Sequence, residues 1–155
     1  MKEKVVIFSK AALSIGGAVA TNYLGGNDKW LELLVWLVVS DFFLGLILAI
    51  RKKQFSPLVA GAGFLTKILY FLVIALCVKI GTAIGKPDMV RNIAVIWFIV
   101  SEGSSVVENM CLLNVLPAEW SKIFTSAKNG FSVRLIDVIK QLVNEIENIE
   151  IGGKR

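Results

Sequence analysis

Histidine is absent from these 155 residues. That excludes His-based metal sites and every Ser–His or Cys–His nucleophile pair. Cysteine is scarce: Cys77 and Cys111 are the two, both inside apolar stretches. Small hydrophobic packing is the expected role there, and two thiols build no disulfide framework. The phosphate-gripping GxxxxGK and the zinc-binding HExxH are missing as well. The chain therefore reads as a non-enzyme, with no cofactor and no metal. Acidic residues number 12 against 17 Lys and Arg, a net charge of +5. Aromatic residues do not interleave that basic excess as they would on a nucleic-acid platform. Lys and Arg facing anionic lipids at the cytoplasmic side of a membrane account for it.

Apolar residues make up 55% of the chain, a share that ordinary water-soluble domains seldom reach. A membrane-spanning helix takes about 20 mostly apolar residues. The three prolines, Pro57, Pro87 and Pro117, fall between apolar stretches, where a missing backbone N–H does least harm. They mark off candidate spans at residues 5–24, 30–50, 58–85 and 92–116. The expected fold is all-α: an integral membrane protein with three or four transmembrane helices over residues 1–120. A tail over 121–155 carries a C-terminal amphipathic helix. The first stretch holds Ser9, Lys10, Ser14, Thr21 and Asn22, so it either spans or lies in the interface, and spanning is favoured. MKEK, the apolar run behind it and Ala18-Val19-Ala20 resemble a signal peptide. Lys10 interrupts that run, and the segment is expected to be retained.

Loop charge sets the orientation. Arg51, Lys52 and Lys53 form the densest basic cluster, with Lys67 just beyond, whereas Lys86, Asp88 and Arg91 are a weaker bias. The positive-inside rule then places residues 51–57 in the cytoplasm, the Pro87 turn outside and the C-terminus inside. Lys67 and Lys79 bracket the most apolar part of the third stretch, about 18 Å apart on a helix, and are expected to snorkel to opposite interfaces.

Acids inside the spans are the most telling feature. Asp41 lies in the second stretch, and Glu102 and Glu108 in the fourth. Each costs roughly 2.5–3.5 kcal/mol at the centre of a membrane helix, so each should face another helix or water. Ser101, Glu102, Ser105, Glu108 and Asn109 fall within an arc of about 120° on a helix wheel. This polar stripe either lines an aqueous path between copies or packs against a neighbouring helix. For Asp41, with Gly45 one turn on, the plainer reading is an ion pair or hydrogen bond, and Lys67 is the natural partner.

Small residues repeat at four-residue spacing: Ala12, Gly16 and Ala20 in the first stretch, Gly81 and Gly85 in the third. Such ridges mark close helix packing, within or between copies. After Pro117 a short helix is expected over 118–126, then a turn at Asn129-Gly130 and a second helix capped by Ser132. Leu135, Ile139, Leu142, Ile146 and Ile149 form a seam of about two heptads. The seam serves self-association, or docking on the membrane or on the protein's own body.

Two strings carry a family resemblance. VVSDFFLGLILAIRKKQFSP and SEGSSVVENMCLLNVLPAEW resemble the acidic span with its basic turn, and the last-span signature, of phage holins of the toxin-secretion/lysis type. The matching residues are Asp41, Gly45, Glu102, Gly103, Ser105, Glu108, Asn109 and Pro117, within residues 30–120. A Gly-containing turn is expected before Pro117, where this chain has Val115 and Leu116. The resemblance implies a multi-pass protein of the bacterial cytoplasmic membrane that oligomerises with itself. Its lesions let a cell-wall hydrolase or a toxin leave the cell as cargo. The alternative is a small ion channel or proton-coupled transporter using Asp41, Glu102 and Glu108.

Overall fold

A computed structural model describes residues 23–26 and 28–152, the side chains of 142 and 145–152 excepted. The first candidate span, with Ala12, Gly16 and Ala20, lies outside the described residues apart from its last two positions. Four helices follow: α1 Lys29–Arg51, α2 Pro57–Ala83, α3 Pro87–Leu112 and α4 Ala118–Gly152. The all-α expectation is met, and α1, α2 and α3 are each long and apolar enough to cross a membrane.

Local chemistry sets the helix boundaries. Asp28 caps α1, its carboxylate accepting from the Leu31 N–H at 2.8 Å. Pro57 and Pro87 occupy the first turns of α2 and α3, where no intrahelical donor is lost. All three spans end in the same left-handed turn, in which two N–H groups fold back onto the last carbonyls. Lys53, Gly85 and Asn114 take the positive φ of that turn, at 56°, 72° and 62°. Gln54 bonds back to Ala49, Lys86 to Gly81 and Val115 to Met110. Asn114 thus does the work expected of a glycine before Pro117, because its short amide side chain tolerates the left-handed region. The last span consequently stops at Leu112 instead of running to Leu116, and it begins at Pro87, five residues earlier than expected. Gly85 lies in the turn beyond α2, outside any helix ridge.

Helix α3 is the hub. α1, α2 and α4 all pack on it, whereas α1 and α2 scarcely meet. Buried apolar residues are few among the described residues: Leu31, Leu34, Ile74, Val95 and Phe98. Tyr70 stacks on Phe98 at 4.4 Å between ring centres. The outer surface is the greasy part, with Leu58 84% and Trp36 65% exposed. A water-soluble fold would hide such residues; a bilayer solvates them. Thr66 and Thr82 face outward, yet each hydroxyl donates to a carbonyl one turn back, Ala62 and Val78. Neither threonine hydroxyl is thereby left orphaned in hydrocarbon.

The tail departs from expectation. α4 runs unbroken through Asn129-Gly130, and the Ser132 hydroxyl donates to the Lys128 carbonyl inside the helix instead of capping one. An interior glycine costs about 1 kcal/mol relative to alanine, which the packing of one apolar face outweighs. Phe131 stacks on Trp97 of α3 at 6.1 Å. Leu135, Ile139 and Val143 face Val90, Ile93 and Ala94 across a cavity of about 320 Å³. From the turn at 113–117, α4 doubles back antiparallel along α3. Leu135 and Ile139 of the expected seam therefore meet the protein's own body. The side chains of Leu142, Ile146 and Ile149 lie outside the described set.

Candidate functional site

Three helices bring one cation between two carboxylates. The Lys67 ammonium of α2 lies 2.9 Å from an Asp41 oxygen of α1 and makes a short hydrogen bond to Glu102 of α3. Their side chains are 13%, 14% and 2% exposed. Asn109 donates its amide to the other Asp41 oxygen at 2.9 Å, and the Tyr70 ring lies 5.6 Å from the ammonium. Asp41, Lys67 and Glu102 each stand ten residues from a helix end, at Arg51, Pro57 and Leu112. At the helical rise that is about 15 Å, half the thickness of a hydrocarbon core. The charges sit at the depth where water is least available, and they satisfy one another. Lys67 is therefore not a snorkelling lysine: two acids closer than the interface hold it inward.

Of the five stripe residues, Glu102 and Asn109 turn into the bundle. Ser105 donates to the Ser101 carbonyl at 3.2 Å. Glu108 is exposed on α3, with no ion pair to the cluster. Gly45 lines a cavity of about 220 Å³ between α1 and α2, with Asp41 and Lys67 at one end and Gln54 and Ser56 at the other. Nothing lies within 4 Å of where a Gly45 Cβ would stand, whereas one on Gly81 would come 2.7 Å from the Pro87 Cα. Gly81 thus serves the α2–α3 turn within one copy.

A second buried charge escaped the sequence reading, which treated Arg91 as loop charge. Its side chain is 3% exposed and ion-paired to Asp28. Its Nε donates to the Leu24 carbonyl at 2.6 Å, and Nη1 donates to the Asn92 side chain at 3.1 Å. Gly25, at φ 81°, makes room for it: a Cβ there would sit 2.8 Å from the Arg91 Cδ. The Arg91 hydrogen bond holds the Asp28 carboxyl below the usual range, with the Leu31 N–H assisting and partial burial opposing. The seam Arg91–Val95–Phe98–Glu102, spaced four, three and four, was the available signal, since it places both charges on one helix face. At the opposite end of the spans, Arg51 donates to the Leu113 carbonyl at 3.1 Å, tying the basic turn to the end of α3.

This arrangement holds helices together at three depths. The sequence profile of the bacteriophage holin family matches residues 18–129. The chain is 32% identical over 101 residues to a probable holin of Bacillus phage phi105, covering 64% of this chain and 75% of that protein. It is 31% identical over 97 residues to the uncharacterized protein YqxH of Bacillus subtilis (strain 168), covering 63% and 69%. No solved structure matches. The chain belongs to the bacteriophage holin family, as the two strings suggested, and is a multi-pass membrane protein.

Proposed function

We propose that this protein accumulates in the bacterial cytoplasmic membrane and assembles with itself into lesions that release a cell-wall hydrolase or a toxin. The observation that carries the reading is the charge cluster at mid-membrane depth inside the bundle of α1, α2 and α3, whose outward surface is largely apolar. That three-helix body is stable in lipid as a single copy and can reach high density there before it acts. Residues 51–57 and the linked turn at 113–117 are on the cytoplasmic side, where the basic cluster favours them, so the tail starts from that side.

Glu102 and Asn109 serve as glue within one copy, the packing role left open for the stripe. Glu108 is the stripe residue free to meet water between copies. A relay of three carboxylates, as a proton-coupled transporter would need, has Asp41 and Glu102 joined through Lys67 but Glu108 apart.

The test is release of solutes of graded size from bacteria expressing the full chain. A lesion passes dyes, dextrans and an active hydrolase alike. Leak confined to protons or small cations would replace the holin reading with the channel. Glu108→Leu should lower release at equal membrane abundance without blocking insertion, and unchanged release would remove Glu108 from the aqueous path.

A further inference from the structure

The face of α4 turned away from α3 is polar along its length. Taking 100° per residue, Lys122, Ser126, Asn129, Asp137, Lys140 and Asn144 lie on one stripe opposite Phe131, Leu135 and Ile139. All six are exposed, and Val133 is the one apolar interruption. From Lys122 to Asn144 the stripe runs about 33 Å, against about 30 Å for a hydrocarbon core. Exposed apolar side chains border it, Ile136 and Val143 on one edge and Ile123, beside Gln141 and Arg134, on the other. α4 lies beside α3, itself a membrane-length helix, and its stripe passes the same depths. Lipid cannot solvate Asp137 or Lys140 there.

We infer that α4 is the wall of the aqueous path: in the assembly of copies it lies at membrane depth on α3, with this stripe facing water. The inference rests on the proposed holin function and names the surface that carries it. The apolar edges then meet lipid or the neighbouring copy, and the bundle behind stays closed by its own ion cluster. Residues 145–152 then emerge on the side of the membrane opposite the turn at 113–117, which reverses the cytoplasmic C-terminus expected from loop charge.

The experiment uses the full chain carrying Cys77→Ala and Cys111→Ala, reconstituted in phosphatidylethanolamine–phosphatidylglycerol vesicles loaded with dextran. Single cysteines at Ser126, Asn129, Asp137 and, facing α3, Leu135 carry an environment-sensitive fluorophore. In leaking vesicles, the stripe positions should be quenched at least threefold more by aqueous iodide than Leu135. Single cysteines on the apolar edge, at Ile136 and Val143, labelled in the same way, should be quenched by lipids labelled at mid-acyl chain. Leakage with iodide quenching but no mid-chain quenching places α4 outside the membrane and overturns the inference while leaving the holin reading intact. Leakage with mid-chain quenching but no iodide access buries the stripe against protein and overturns it too. Vesicles that never leak, with the protein inserted and helical, overturn both.

Discussion

Lys67→Met removes the cation from between two buried carboxylates. The methionine keeps most of the apolar stem, so packing changes little and charge is the variable. Removing one partner of a buried ion pair costs about 3–5 kcal/mol, because the other charge is left without compensation. Here two acids are left, one of them Glu102 at 2% exposure, so the upper part of that range applies. A loss of that size lowers the folded-to-unfolded ratio by a factor of about 1,000 or more and the unfolding midpoint by on the order of 10 °C. Thermal unfolding of the detergent-solubilised chain measures the loss, and membrane abundance in bacteria measures its consequence. The triple variant Lys67→Met, Asp41→Asn, Glu102→Gln should recover most of the stability, since exchanging a whole buried ion cluster for neutral groups is often close to neutral. A Lys67→Met protein that unfolds within about 1 kcal/mol of the parent would refute the cluster as what joins α1, α2 and α3.

Three further outcomes follow from the geometry. The Arg91 clasp lowers the Asp28 pKa, so the folded state binds this proton less readily than the unfolded chain. The stability it contributes is fully present above the ordinary carboxylate range and is lost from about pH 4 downward, through the folded value. Unfolding midpoints of the parent and Asp28→Asn should therefore differ at pH 7 and converge in acid; a constant difference would count against the clasp. Gly45→Ala enters open space in a helix and should stabilise by about 0.5–1 kcal/mol, whereas Gly81→Ala meets the Pro87 backbone and should destabilise by about 1–3 kcal/mol. Equal shifts in thermal unfolding would refute the contrast. Lys53→Gly relieves a left-handed lysine at φ 56° and should raise stability by about 1 kcal/mol over Lys53→Ala, which controls for the lost charge.

The spans could be read from the chain because proline positions and apolar run lengths are local signals, and the Asp41–Lys67 partnership because a lone acid in hydrocarbon demands a cation. Glu102 joining the same lysine was not legible: which of two acids on one stripe turns inward depends on how α3 sits between α1 and α2. Arg91 was missed for a related reason. Counted as loop charge it obeys the topology rule, while its burial follows from Gly25 and the Leu24 carbonyl, contacts 66 and 67 residues away. The continuous α4 was the clearest departure. Asn129-Gly130 is a strong local turn signal, and it yields because the apolar face on either side of it finds α3.

Helix α4 faces a conflict that only an assembly resolves. Burying an apolar side chain out of water is worth about 1.5–3 kcal/mol, so Phe131, Leu135 and Ile139 favour docking on α3 over exposure to the cytoplasm. The same docking carries Arg134, Asp137 and Lys140 into the membrane, at roughly 2.5–3.5 kcal/mol each if lipid receives them. For a solitary copy the second sum outweighs the first, and in lipid an apolar seam gains little, since acyl chains solvate it as well as another helix does. Water on the far side of α4 removes the second sum and leaves the first. Under the proposed mechanism, copies that surround a common aqueous space supply that water, so assembly and docking of α4 favour each other. The bundle of α1, α2 and α3 needs no such help, because its charges are already matched within one chain. Substituting Asp137 and Lys140 together by leucine should therefore let α4 dock in lipid without assembly. Lesions would then shrink or vanish while membrane insertion persists, and undiminished dextran release from that variant would show that the conflict does not govern opening.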